Sequence, residues 1–247
     1  DLVLRMAKKS NAVSKLHAIT ARNMWKDFEG ISEIIPITNA QNQKFWQDET
    51  LKKVADQKNA KAFWTRKTEL KKLLFNEVLD QTGKLFDPDT LTIVWARRFA
   101  GYKRADLLLR DLDRFKKLVS NKSYPVQIIW AGKPYPMDFG GIGIFNQLVR
   151  FTANFSNLAV LTGYEIDLSK QLKLGSDIWL NTPRITREAS GTSGMTAAMN
   201  GSLNLSTNDG WIPEFAKHGH NAFVMPEADH TQPHKIQDDF DANNLYD

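Results

Sequence analysis

The sequence predicts an α/β protein built on a Rossmann-like, doubly wound parallel sheet. Two observations predict it. Short apolar runs rich in β-branched and aromatic residues, such as 91–96 and 126–131, read as strands buried on both faces. Between them, apolar residues recur at helical spacing. Strands alternating with helices in this way imply a parallel sheet with helices on both sides. Ligands in such sheets bind beyond the carboxyl ends of the strands, so the residues after each strand are the place to look for chemistry.

The elements follow in order. Residues 1–85 read as polar and helical: Val13, Leu16, Thr20 and Met24 form one stripe, and Phe63, Leu70, Leu73, Leu74 and Val78 a second. Arg66, Lys67, Lys71 and Lys72 fall between the second set and are expected to face outward. A short extended segment at 34–39 separates the two stripes. Turn-rich residues at 80–90 mark a boundary, and the sheet domain is expected over 86–230. Its strands are expected at 91–96, 126–131, 158–161, 178–180 and 203–205. Helices are expected from Ala105 to Val119 and at 142–151, 168–174 and 195–200. The tail, 231–247, is polar and predicts no element.

Composition narrows the function. There is no cysteine among 247 residues, which excludes disulfides, thiolate nucleophiles and Cys-ligated zinc. No run is long and apolar enough to predict a membrane span. The net charge of +5 suits an anionic ligand, but the cations are scattered and no dense basic run predicts a nucleic-acid partner. Pro233 argues against a metal-binding helix face for His230 and His234, so no metal site is expected.

Four clusters follow strands. Arg97, Arg98, Lys103 and Arg104 place four cations within eight residues across a strand end and a turn, an arrangement suited to phosphate. Glu188 leads into the small, hydroxyl-rich stretch Ser190-Gly191-Thr192-Ser193-Gly194, where backbone approaches a ligand closely and the carboxylate accepts sugar hydroxyls. Gly132-Lys133-Pro134 and Asn208-Asp209-Gly210-Trp211 are turns in corresponding places.

Taken together these residues resemble one family. Arg97-Arg98-Phe99-Ala100-Gly101-Tyr102-Lys103-Arg104-Ala105 resembles the R-R-F-A-T-Y-K-R-A segment of bacterial and archaeal α-glucan (glycogen/maltodextrin) phosphorylases. Glu188 to Met195 resembles their E-A-S-G-T-S-G-M, and Leu205 to Trp211 their L-S-x-x-D-G-W. Ala131-Gly132-Lys133 and Trp179-Leu180-Asn181-Thr182-Pro183 also fit, and Val13 to His17 and Ile37-Thr38-Asn39 resemble the approach to this domain.

The resemblance implies a hexosyltransferase of the two-domain GT-B type, moving glucosyl units between an α-1,4-glucan and phosphate to give glucose 1-phosphate, with pyridoxal phosphate as cofactor. It implies that this chain holds the C-terminal half, with residues 1–85 the end of the first domain and a helical connector, and with the other cleft wall in the same or a partner chain. A fragment of this kind is expected to be inactive alone, and the tail to be truncated. A cytoplasmic location is expected. By the same resemblance Arg98 and Lys103 contact phosphate, with Tyr102 beside them. Glu188, Ser190 and Gly191 hold the glucosyl hydroxyls. Thr192, Gly194 and Thr196 lie at the cofactor.

Two departures matter. The family carries its imine-forming lysine directly after the motif's methionine, where this chain has Thr196, and a hydroxyl cannot form an imine. Ala40-Gln41-Asn42 stands where Gly-Val-His is usual. Three readings therefore remain open: a phosphorylase relative holding pyridoxal phosphate without a covalent link, a nucleotide-sugar-dependent α-glucan synthase, and a non-catalytic glucan-binding relative.

Overall fold

The computed structural model describes residues 2–247. Helix α1 (Leu2–Met6), strand β1 (Ser10–Ala12), helix α2 (Lys15–Trp25) and strand β2 (Ile34–Pro36) open the chain, and β1 pairs with β2 in parallel. Ser14, in extended conformation, caps α2 by accepting the His17 amide at 3.1 Å. The expected stripe on α2 is not the one that is buried. Met24 is 65 % exposed, while Ala18 packs with Ala12 and Ile34.

Helices α3 (Gln43–Trp46), α4 (Glu49–Asp56) and α5 (Ala60–Thr82) follow. Helix α5 starts at Asn59, which accepts the Ala62 amide, and stops at Gly83 in the left-handed region. Its Leu74, Phe75 and Val78 enter the core on one face of the main sheet, so the element read as a connector belongs to the sheet's helical layer. Lys67 and Lys71 correct a second expectation: both are buried. Lys67 donates to the Leu174 and Asn200 carbonyls, each at 2.8 Å. Lys71 donates to the Thr90 carbonyl and pairs with Asp177 at 2.6 Å. The long aliphatic stems lie against the core while each ammonium finds backbone or carboxylate oxygens.

The main sheet contains β3 (Leu91–Ala96), β4 (Val126–Ala131), β5 (Leu158–Leu161), β6 (Ile178–Asn181), β7 (Leu203–Ser206) and β8 (Ala222–Val224). All pair in parallel, in the order β5-β4-β3-β6-β7-β8. Between them run α6 (Leu112–Val119), α7 (Phe139–Thr152), α8 (Ile166–Gly175), α9 (Ser193–Ala198) and α10 (Ile212–Phe215), and α11 (His234–Tyr246) closes the chain. Alternate residues of each strand feed opposite faces. Val94, Ile129 and Trp179 enter a core with α5 and α8, whereas Trp95, Ile128 and Trp130 enter one with α6 and α7.

Three further differences have local causes. The stretch from Ala105 to Val119 is not one helix. Leu107, Leu108 and Leu109 are all buried in a 3-10 turn, and Asp111 starts α6 by accepting the Arg114 amide. A sixth strand, β8, is only three residues long and follows a turn through Gly219. The polar tail forms α11, whose buried residues are Gln237, Asp238, Asp241 and Ala242, with Leu245 and Tyr246 packing on the core at its end. No described helix is long and apolar enough to cross a membrane.

Lys67 is expected to make the fold's stability depend on pH in the alkaline range. Burial lowers its pKa from 10.5 to about 7. The unfolded chain therefore binds more protons between those values, so stability rises as pH is raised from about 7 toward 10.5. Urea midpoints across that range are expected to climb in the parent protein and to stay flatter in Lys67→Met. Equal slopes would show that Lys67 keeps its proton in the folded state.

Candidate active site

The strand order reverses direction between β3 and β6, and the crevice of a doubly wound sheet opens at such a switch point. The two strongest motifs flank it: Arg97 to Arg104 leave β3, and Asn181 to Gly194 leave β6.

Glu188 is the meeting point. Its Oε2 lies 2.5 Å from Lys103 Nζ and 3.4 Å from an Arg97 Nη, and the Glu188 and Lys103 side chains are 14 % and 12 % exposed. Arg97 is buried and also donates to Asn181 Oδ1. Burial pulls its pKa below the ordinary guanidinium value, against the Glu188 charge that raises it. Lys103 Nζ also stands 4.9 Å from the centre of the Tyr102 ring, and the Tyr102 carbonyl accepts the Arg184 amide.

Backbone geometry presents Glu188. Thr186 turns the chain at φ 65°, and buried Asp209 accepts the amides of Arg187 and Glu188 at 3.1 and 2.9 Å. Burial raises Asp209 to about 6, against these amides, which favour its ionised form. The following loop is held from two sides. Ser14 Oγ donates to the Ala189 carbonyl at 2.6 Å, and Trp211 donates its amide to Ser190 and its indole Nε1 to Gly191. Glu214 on α10 accepts from the Lys15 amide and the Thr38 hydroxyl, which ties the opening unit to this rim.

The expected site residues divide. Lys103, Tyr102, Glu188, Ser190 and Gly191 come together. Gly191 has φ 77°, a left-handed conformation that glycine adopts without strain, and a Cβ there would lie 3.3 Å from Glu188 Cγ. Arg98 is not with them: it is exposed and makes no side-chain hydrogen bond or ion pair among the described residues. Neighbours at a strand end point to opposite sides, and it is Arg97 that points inward. Gly194 faces the sheet, since a Cβ there would meet Asn204 Oδ1 at 2.4 Å, so its smallness serves packing of α9 on β6 and β7. Thr192 is half-buried at the start of α9. Thr196 is buried, and its hydroxyl donates to the Ser193 carbonyl at 2.9 Å. Arg97, Asn181 and Asp209 stand in the clusters and motifs read from the sequence, but no individual role is expected of them there; here Arg97 and Asp209 bond Glu188 and Asn181 bonds Arg97.

Two buried atoms at this rim lack a partner: Arg97 Nε and Ser190 Oγ. An unpaired buried donor is costly unless a ligand completes it. A cation pair, an unpaired donor, a carboxylate and an unpaired hydroxyl suit a phosphate beside a polyol, so the residues present fit the phosphate-bearing cofactor that phosphorylases use.

Fold and rim thus define a doubly wound α/β domain whose switch point is lined by cations, a carboxylate and a hydroxyl. The chain belongs to the carbohydrate phosphorylase family, whose sequence model matches residues 9–225. It is 47 % identical to an uncharacterized protein of Methanocaldococcus jannaschii, over 98 % of this chain and 46 % of that protein. It is 33 % identical to a glycogen phosphorylase of Mycobacterium tuberculosis, over 99 % of this chain and 33 % of the relative. It is likewise 33 % identical to the maltodextrin phosphorylase of Thermococcus litoralis, over 99 % of this chain and 34 % of the relative. The chain thus spans between about a third and about half of these relatives.

Proposed function

We propose that this domain holds the phosphate and donor sugar in glucosyl transfer between an α-1,4-glucan and phosphate, with glucose 1-phosphate as the sugar phosphate. The observation that carries the reading is Glu188, set between Lys103 and Arg97 at the switch point beside the unpaired Ser190 hydroxyl. Lys103 and Arg97 attract the phosphate, with Arg98 available from the exposed side of the same turn. Glu188, Ser190 and the Gly191 backbone accept and donate to sugar hydroxyls. Fixed charges of this kind stabilise charge that develops at the anomeric carbon without reorganising during transfer. Pyridoxal phosphate, when bound, supplies a phosphate that exchanges protons with the substrate phosphate. Thr192, at the start of α9, would border that cofactor, while Gly194 and Thr196 would act only through the packing of α9 on the sheet.

In this reading the sheet domain is the C-terminal half of a GT-B enzyme. The β1–β2 unit belongs to the end of the preceding domain, and the opposite cleft wall comes from residues outside this chain. A nucleotide-sugar donor is the second reading, favoured by the hydroxyl of Thr196 where the imine-forming lysine is usual. Calorimetric titration separates them: glucose 1-phosphate is expected to bind the full-length protein and ADP-glucose to bind at least tenfold more weakly. Phosphorolysis of maltodextrin is expected to release glucose 1-phosphate and to fall at least a hundredfold in Glu188→Gln. Preference for ADP-glucose would establish the synthase reading. Sugar binding with no turnover of either donor would establish a binding protein.

A further inference from the structure

One buried amine is unused by the site described above. Lys173, on α8, is 4 % exposed. Its Nζ donates to Ser169 Oγ at 2.9 Å and stands 3.6 Å from the centre of a Trp46 ring. No carboxylate pairs with it among the described residues. The other inward lysines are committed: Lys71 to Asp177, Lys103 to Glu188, and Lys67 to the carbonyls of Leu174 in the last turn of α8 and of Asn200 just after α9.

The surroundings of Lys173 lead to the rim. Ser169 Oγ donates to the Tyr164 hydroxyl at 3.3 Å, and that hydroxyl donates to the carbonyl of Ala96 at 3.4 Å. Ala96 ends β3 and precedes Arg97, and the Tyr164 hydroxyl is near enough to Arg97 to act on its charge. On the other side, Asn200 Nδ2 donates both to the Trp46 carbonyl at 2.9 Å and to the Thr196 carbonyl at 2.8 Å. Helix α8 packs on α9. The amine thus faces an indole ring and is linked to the end of β3 through Ser169 and Tyr164, while Asn200 joins the Trp46 backbone to the helix that carries Thr196.

We propose that Lys173 is the imine-forming amine of this chain, supplying from α8 what Thr196 cannot supply from α9. The inference rests on the functional reading above for the identity of its ligand, an aromatic aldehyde bearing phosphate, that is pyridoxal phosphate. The neutral Nζ adds to the aldehyde carbon, and loss of water leaves a carbon–nitrogen double bond. One carbonyl oxygen and two amine protons depart as that water, and no oxidant or reductant is required. Burial lowers the Lys173 pKa from 10.5 to about 8, so about one molecule in ten carries the nucleophilic neutral amine at pH 7. The Trp46 indole, over whose ring the Nζ sits, gives an aromatic adduct on that nitrogen an aromatic neighbour.

The test is trapping and mapping. The full-length protein is mixed with pyridoxal phosphate, its absorption spectrum recorded, the bond reduced with borohydride, and the digest mapped by mass spectrometry. The expected result is an imine band and one adduct per chain, on the peptide that carries Lys173. Lys173→Arg keeps a cation against Trp46 but cannot form the bond. It is expected to keep the parent's thermal midpoint within about 2 °C and to lose both band and adduct. An adduct on Lys67, Lys103 or Lys170, labelling scattered over surface lysines, an unchanged adduct in Lys173→Arg, or no binding of pyridoxal phosphate would each overturn the assignment. Pyridoxal phosphate retained through gel filtration without a Lys173 label sinks the lysine and leaves the functional reading. Lys173 labelled in a protein that does not bind glucose 1-phosphate does the reverse.

Discussion

Replacing Lys103 by alanine in the full-length protein is expected to weaken glucose 1-phosphate binding by about 10- to 100-fold. A charge-assisted hydrogen bond contributes about 1.5–3 kcal/mol, which is roughly one to two decades of affinity. The pair geometry adds a second penalty of the same sign. Lys103 Nζ neutralises Glu188 at 2.5 Å in a place where both side chains are mostly buried. Without it, Glu188 keeps only the longer contact to Arg97 at 3.4 Å, and its less-compensated charge repels an incoming phosphate. Lys133→Ala is the matched control. That lysine follows β4 at the same sheet edge, but it is 65 % exposed and pairs with an equally open Glu165, so its removal is expected to change affinity less than about threefold. Calorimetric titration of the three proteins decides the matter. Unchanged affinity in Lys103→Ala would remove the cationic rim from the donor site. Arg98→Ala adds a finer comparison, because it tests whether the exposed member of the Arg97-Arg98 pair reaches the ligand or leaves that role to its buried neighbour.

Much of this site was legible because it is local. Runs such as 91–96 and 126–131 are apolar throughout, as strands covered on both faces must be, and the motifs that follow them need only chain order to reach the rim. Pairing across the crevice was not legible. Two adjacent arginines carry no mark of which will face inward, and Asp209 comes to Glu188 only through the neighbouring strands β6 and β7. Lys67 and Lys71 are a different matter. Together with Leu70, Leu74 and Val78 they lie on one helical stripe, so the signal of their burial was present. Their charge masks that periodicity, although a long lysine stem buries well when its end finds oxygen. Helix α11 escaped for the complementary reason. Its inward face is acidic, and no scan for apolar spacing finds a face that docks on arginines.

That acidic face sets the largest expected change in stability: Asp241→Ala should cost about 3–5 kcal/mol, because it strands a buried guanidinium. Arg104 is 3 % exposed, lies 2.6 Å from Asp241, and also donates to Asp238 and to the carbonyls of Thr182 and Pro183. Asp238 cannot take over as sole partner, since Arg184 bonds both of its oxygens at 2.8 and 2.7 Å. The two carboxylates also differ in kind. Burial would raise Asp238, but the Arg184 and Arg104 hydrogen bonds outweigh it and hold it low. Burial raises Asp241 even against Arg104, which marks a pair near break-even whose worth shows only when one half is removed. The double variant Arg104→Met with Asp241→Leu is therefore expected to lose less stability than Asp241→Ala alone. Asp239→Ala, which breaks solvent-open pairs with Arg110 and Lys235, should lose far less. Urea unfolding gives the comparison. A loss below about 1 kcal/mol in Asp241→Ala would mean that Arg104 reaches water and that α11 is not pinned to the end of β6. A loss of the expected size would tie the last helix to Thr182 and Pro183, and through them to Asn181 and the Arg97 side chain it holds at the crevice.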